Sequence, residues 1–283
     1  MRKFFAICLF AIPAALPLAA QTPPPALKLP RLSQHQVVTQ TVGLTDIKID
    51  YSRPAVKGRV IWGGLVPYDQ VWRTGANEAT QISFSDDVTI NGQALPKGTY
   101  SLHTVPGKDS WTLAFNKVAA QWGSFTYDKA QDALRVTSKA EKAPFTEYMQ
   151  FDFPQVTNDS AVVAIRWENI EVPFTVGVNT TAKVMADATA AVAGAAATDW
   201  QTPNRAAGFA FDNNDNAQAA KWVDQSLKAK QTISNLYLKS RIQAKSGDKA
   251  GAIATAESAI KMAGPKDKEL ASEIQKSIDE WKK

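Results

Sequence analysis

The chain changes its hydrophobic period once, at about Val178, and that switch requires two kinds of architecture in one polypeptide. Before it, short runs rich in β-branched and aromatic residues alternate with turn signals, and no apolar pattern of helical period lasts three turns. Such runs occupy residues 37–42, 46–51, 80–85, 99–105, 111–116, 134–138, 145–153, 160–167 and 172–178. Asn91-Gly92 separates two of the shortest, 88–90 and 93–95, and suits a tight hairpin turn whose two central residues need positive φ. Pro106-Gly107 marks a longer hairpin loop. Many short strands at this spacing, with no crossover helices, predict an antiparallel β-sandwich rather than a parallel sheet. After Val178 alanine dominates and helical spacing begins, with a first helix or helical linker over 181–197. Residues 217–229 and 250–262 superpose at an offset of 33, pairing Ala220 with Ile253, Val223 with Ala256 and Leu227 with Ile260. That offset, with Ser246-Gly247-Asp248 as a tight turn, fits a helix–turn–helix repeat. The expected fold is therefore a β domain plus an α domain: an antiparallel β-sandwich followed by a helical-hairpin, tetratricopeptide-like repeat region.

The first residues set an expected compartment. Met1-Arg2-Lys3 is followed by an apolar run, 4–20, that gives way to Gln21-Thr22-Pro23-Pro24-Pro25, the layout of a secretory signal. The run contains Pro13 and Pro17 and falls short of the ~20 residues a membrane span needs. Cleavage is expected between Ala20 and Gln21. Cys8, the only cysteine, lies inside the run, so the mature chain carries no thiol. Disulfides, thiolate metal sites and cysteine nucleophiles are thereby excluded, and stability must come from packing. The formal charge of +5 falls by two with Arg2 and Lys3, and no run of four basic residues occurs. Nucleic-acid binding has no support in that pattern. The expected organisation is a signal peptide at 1–20, a Pro-rich tether at 21–34, a sandwich at 35–178, an Ala-rich helical linker at 179–203 and a helical domain at 204–283. A periplasmic or secreted protein with no membrane span in its mature form is expected.

Residues 235–263, with Leu236 and Tyr237 on one helix, Gly247 at the turn and Ala250 and Ala256 on the next, resemble a tetratricopeptide repeat. Residues 205–230 form a degenerate copy with Asp212-Asn213-Asn214-Asp215 at its turn. Two units fall below the three usually needed to stand alone, so neighbouring elements must complete the packing. The β region resembles the bacterial family of domain of unknown function 2911. The resemblance is carried by Tyr51-Ser52-Arg53-Pro54, by IWGGLVPYDQVWRTGANEAT at 61–80 and by LPKGTYSLHTVPG at 95–107. It continues through WTLAFNK at 111–117 and Gln121-Trp122-Gly123. It implies fold and compartment but no activity.

The most unusual stretch crowds Tyr68, Asp69, Arg73, Asn77 and Glu78 between glycine and proline, with Trp62 and Trp72 nearby. Two readings fit. Arg73 presents a cation to a carboxylate or phosphate while Asn77 and Glu78 orient the ligand. Alternatively Arg73 pairs with Glu78 and Asn77 satisfies loop backbone groups. Of the two histidines, His103 shares a strand face with Ser101 and Val105, and neither it nor His35 has a second ligand at a metal spacing. Both read as structural or surface residues rather than metal ligands. Asp212, Asn214 and Asn216 copy the start of a calcium loop, but Ala217 and Val223 stand where its glycine and glutamate belong. No phosphate loop, dinucleotide fingerprint or nucleophile elbow is present, and no cofactor is expected. The tryptophans at 62, 72, 111, 122 and 167 fit core packing better than sugar stacking. Two functions remain open. One is a non-catalytic binding module, with a small molecule or carbohydrate at the β domain and a protein or peptide on the repeats. The other is an extracytoplasmic, hydrolase-like enzyme using the polar residues of 68–80.

Overall fold

The structure, a computed structural model, describes residues 29–283. The expected signal segment, its Ala20–Gln21 cut and residues 21–28 of the tether lie outside the described residues. Residues 33–283 form one compact unit. Among the described residues ten strands precede six α-helices, and every strand pair is antiparallel. The strands are β1 (Gln34–Val42), β2 (Thr45–Arg53), β3 (Gln81–Phe84), β4 (Val88–Ile90), β5 (Gln93–Leu95), β6 (Gly98–Val105), β7 (Ser110–Asn116), β8 (Asp132–Lys139), β9 (Glu141–Val156) and β10 (Ser160–Gly177). One sheet has the order β1-β2-β3-β6-β7-β8 and the other β5-β4-β10-β9. Alternation along β2 sends Ile47, Ile49 and Tyr51 inward, where they meet Ile82, Phe84, Leu102, Leu113 and Phe115 of the same sheet. Met149, Phe151, Val163, Ile165, Phe174 and Val176 close the core from the second sheet. The two sheets thus pack as the period-2 pattern requires.

Local chemistry sets the connections. Asn91 and Gly92 have φ of 48° and 81°, the pair of left-handed residues that a two-residue hairpin between β4 and β5 requires. The runs at 160–167 and 172–178 are not two strands but one, β10, because the polar break between them is a bulge: Glu168 has φ 55° and the register against β9 shifts on either side. Trp62, Trp72, Trp111 and Trp167 form an aromatic cluster with centroids 4.9 to 6.2 Å apart. Trp122 stands apart from it and is 59% exposed.

The helices are α1 (Thr180–Gly194), α2 (Gln201–Asp212), α3 (Asn216–Ala229), α4 (Ile233–Lys245), α5 (Lys249–Lys261) and α6 (Lys268–Trp281). Asn179, Asp215 and Asp248 cap α1, α3 and α5, and Thr232 with Asn235 forms a capping box on α4. Buried alanines, Ala206, Ala207, Ala210 and Ala219, let α2 and α3 approach around Trp222 and Val223. Ile274 and Ile278 of α6 pack on Leu236, Tyr237, Ala256 and Ala259. The helical layer joins the sandwich through α1. Lys183 reaches Asp86 at 3.1 Å, and Thr180 donates to the Asn158 carbonyl at 3.0 Å.

Candidate functional site

Residues 71–80 run beside β6, and backbone bonds fix their register. Trp72 and Thr104 exchange both amide bonds at 2.8 Å, while Leu102 N donates to the Thr80 carbonyl at 2.7 Å. Between these anchors the chain bulges out and returns. Thr80 N donates to the Arg73 carbonyl at 3.1 Å, and Ala76 N donates to Ser52 of β2 at 3.2 Å. Trp72 points into the tryptophan cluster, so the next residue, Arg73, comes level with His103 and, by alternation, on the sheet face away from the core. That outer face also carries Ser101, Asn116, Asp132 and Arg135, which the register of β6, β7 and β8 sets side by side.

A roof covers this face. Residues 117–128 fold over it, and the outward loop 77–79 holds them in place: Ala79 N donates to the Gln121 carbonyl at 2.9 Å and Gly123 N to the Asn77 carbonyl at 3.2 Å. Under the roof the polar groups are tightly connected. Gln121 donates to the Val118 carbonyl at 2.8 Å and to Ser101 at 3.2 Å, and Asn116 donates to Asp132 at 2.8 Å. The Tyr127 hydroxyl donates to Asp132 at 2.5 Å, and Arg135 donates to both Tyr127, at 2.7 Å, and Asp132, at 2.8 Å. Burial, then Asp132, pushes the Tyr127 hydroxyl well above the ordinary tyrosine range. Its role is a fixed donor to the carboxylate, not an acid.

Two residues break the pattern of satisfaction. His103 is completely buried, its ring 4.8 Å from that of Tyr127, and neither ring nitrogen has a hydrogen-bond partner. Burial pushes it down to about 4, against smaller raising influences from the Gly123 backbone and Asp132, so the imidazole is neutral at ordinary pH. Arg73 is half-buried, its Nε has no partner, and burial alone lowers its pKa. Glu78, which one sequence reading paired with Arg73, does not figure among the influences on the Arg73 pKa, where burial stands alone. Three of the eight unpartnered buried side-chain polar atoms among the described residues belong to Arg73 and His103, which the Trp72–Thr104 register sets opposite each other. Folded interiors satisfy more than nine in ten of such groups, so this concentration singles out the place.

The other sequence candidates divide. Asn77 has φ 61° and donates to the Ser33 carbonyl at 3.3 Å, so its amide serves the loop backbone as the structural reading expected. Glu78 is exposed and bridges to Trp122 at the edge of the roof. Asp69, with φ 59°, bonds through its amide to the Pro106 carbonyl at 2.8 Å, and Tyr68 packs over Gly63. Tyr68 and Asp69 thus belong to the 61–69 turn rather than to the face beside His103. Tyr127, Asp132 and Arg135 were not legible as site residues, and His103 was read as structural. The signal that pointed there was the strand face shared by His103 and Ser101. Among the described residues no group of three or more His, Cys, Asp or Glu could hold a metal ion.

A sandwich with a roofed polar face and a helical extension is the class of protein that this fold and site define. The chain belongs to the family described as protein of unknown function DUF2911, whose model matches residues 33–176, from the start of β1 almost to the end of β10. No curated protein and no solved structure matches the chain.

Proposed function

We propose that the protein is an exported binding module that holds a ligand at the outer face of its larger sheet through Arg73. Its helical hairpins, which resemble tetratricopeptide repeats, offer a second contact surface for a protein or peptide. The observation that carries the reading is the Arg73 guanidinium, taken half out of water, with its Nε unpartnered among the described residues and burial the one influence on its pKa. Partial desolvation makes an unneutralised charge unfavourable, although solvent still screens the exposed part, so the Arg73 guanidinium beside the roofed face is poised for an incoming anion. The enzyme alternative on 68–80 is less favoured, because the side-chain hydrogen bonds of Trp72, Asn77 and Thr80 all end on backbone carbonyls. Those bonds support the loop and activate no nucleophile.

Thermal unfolding of the free protein tests the site. Arg73→Ala is expected to be neutral or to stabilise slightly, because it removes an uncompensated charge. Arg73→Ala and Glu78→Ala should add without coupling. A loss of ~1 to 3 kcal/mol for Arg73→Ala, with strong coupling to Glu78, would instead mark a structural ion pair and end the reading. Export rests on the signal layout of the first residues, and no helix among the described residues is long and apolar enough to cross a membrane. N-terminal sequencing of protein recovered from cells should start at Gln21 in an extracytoplasmic fraction. An intact Met1 form in the cytoplasm would overturn it.

A further inference from the structure

We propose that the ligand of this face is a small organic monoanion bound by its carboxylate, charge-paired by Arg73 and hydrogen-bonded by the imidazole of His103. The inference rests on the Arg73 reading above and adds the chemistry of what binds there.

Charge counting comes first. The groups around His103 are Ser101 on its own strand, Ala114 on β7, Asp132 and Arg135 on β8, and Tyr127 and the Gly123 backbone in the roof, and the Trp72–Thr104 register sets Arg73 opposite it. Arg135 is neutralised by Asp132 at 2.8 Å, and His103 is uncharged. One positive charge, that of Arg73, is left over. A monoanion cancels it. A phosphate or sulfate dianion would leave a negative charge in a desolvated place unless His103 also took up a proton.

Donor counting leads to the same ligand. Tyr127 and Arg135 are spent on Asp132, and the Gln121 amide is spent on Val118 and Ser101. By hydrogen-bond geometry Arg73 Nε and both ring nitrogens of His103 lack a partner, the Gly123 backbone being a weak neighbour of the ring, so the one N–H of a neutral imidazole can turn to a ligand in its place. Two separate donors match the two oxygens of a carboxylate. Access requires the roof to lift, because His103 is fully covered. The bonds that hold the roof to the neighbouring loop are Ala79 to Gln121 and Gly123 to Asn77, and Gly123, with φ +66°, lies at one of them. Trp122 and Phe125, 59% and 85% exposed, stand on the same segment and would cover the organic part of the ligand.

The chain has two histidines, so a long-range proton–nitrogen NMR spectrum of the whole protein resolves each ring. Exposed His35, hydrogen-bonded to Asp50, is the internal reference. Benzoate and acetate at pH 7 are expected to move the His103 nitrogens while leaving that ring neutral and His35 unmoved. Arg73→Gln should weaken the effect at least tenfold, Arg73→Lys less, and His103→Gln, which keeps an N–H donor, should bind benzoate more tightly than His103→Leu. Circular dichroism of each variant confirms that it is folded. Inorganic phosphate or sulfate that binds more tightly at pH 6 than at pH 8, with His103 protonated and no response to benzoate, would overturn the carboxylate while leaving the Arg73 site standing. No response to any of these anions, or a benzoate response that survives in Arg73→Gln, overturns the inference. The unfolding of Arg73→Ala then decides separately whether the site itself falls.

Discussion

Burial holds the His103 imidazole at about 4, against 6.5 for a free histidine, and this alone makes stability depend on pH. The unfolded chain takes up a proton as pH falls through 6.5, while the folded chain resists until about 4. The histidine's contribution is therefore fully present above 6.5 and is lost progressively toward 4, by about 3 kcal/mol in all. Urea unfolding at pH 7.5, 5.5 and 4.5 should show the natural chain losing stability relative to His103→Gln. Parallel losses in the two chains would mean that the ring is not kept neutral. Only part of this was visible in the sequence. Arg73 stood out because the segment around it crowds polar residues between glycine and proline. Its surroundings did not stand out, because His103, Tyr127, Asp132 and Arg135 come from separate segments that only the register of β6, β7 and β8 brings together. Whether the outer face of β6 is wet or dry depends on residues 117–128, which have no hydrophobic period to read.

Elements whose pattern is local were legible, and elements shaped by their neighbours were not. The Asn91-Gly92 turn follows from two residues' backbone freedom. By contrast, β10 reads as two strands because polar residues interrupt it, although a bulge carries the ladder through. Gly43 is another such case: it has φ +59°, and a Cβ there would lie 2.1 Å from the Thr180 hydroxyl of α1, a contact across the two layers that no local rule predicts. Gly43→Ala should cost at least the ~1 to 2 kcal/mol of a left-handed L-residue. The double change Gly43→Ala with Thr180→Gly should recover the steric share but not the backbone share, as read from denaturation midpoints. Full additivity would show that Thr180 moves aside without cost. Within the helical layer, fully buried Asn235 accepts from Thr232 N at 2.8 Å and donates to Ser226 at 2.9 Å and to the Lys230 carbonyl at 2.8 Å. Ser226 in turn donates to the Trp200 carbonyl at 2.7 Å, so one side chain ties α3, α4 and the entry to α2. Asn235→Ala should lower stability by ~1 to 3 kcal/mol through these unmade bonds. A loss well below that in thermal unfolding would assign the tie to packing instead.

At the scale of the molecule, the sandwich and the helices meet through α1, and this decides where the chain opens. Within the stretch read from the sequence as an Ala-rich helical linker, 179–203, α1 is secured at several points. Asn179 caps it, Lys183 bonds to Asp86, and Val192, Met185 and Ala188 pack into the core of α2 and α3. The least protected part is the stretch 195–200, outside any helix, with 196–198 exposed and with bonds that gather at its ends, Ala195 to Val192 and Asp199 and Trp200 to the start of α2. Proteases need several residues of extended, accessible chain, so the first cut should fall there rather than at the β10–α1 joint. Elastase, which cleaves after small residues, should act at Ala195, Ala196 or Ala197 while sparing the alanines inside α1 to α3. Because Val192 of α1 stays packed against α2 and α3, the nicked protein should still elute as one species and separate only in denaturant. Its fragments should then divide into one dominated by β structure with a single helix and one wholly helical. A first cut between Val178 and Thr181, or fragments that part under native conditions, would show that α1 does not bind the two layers together.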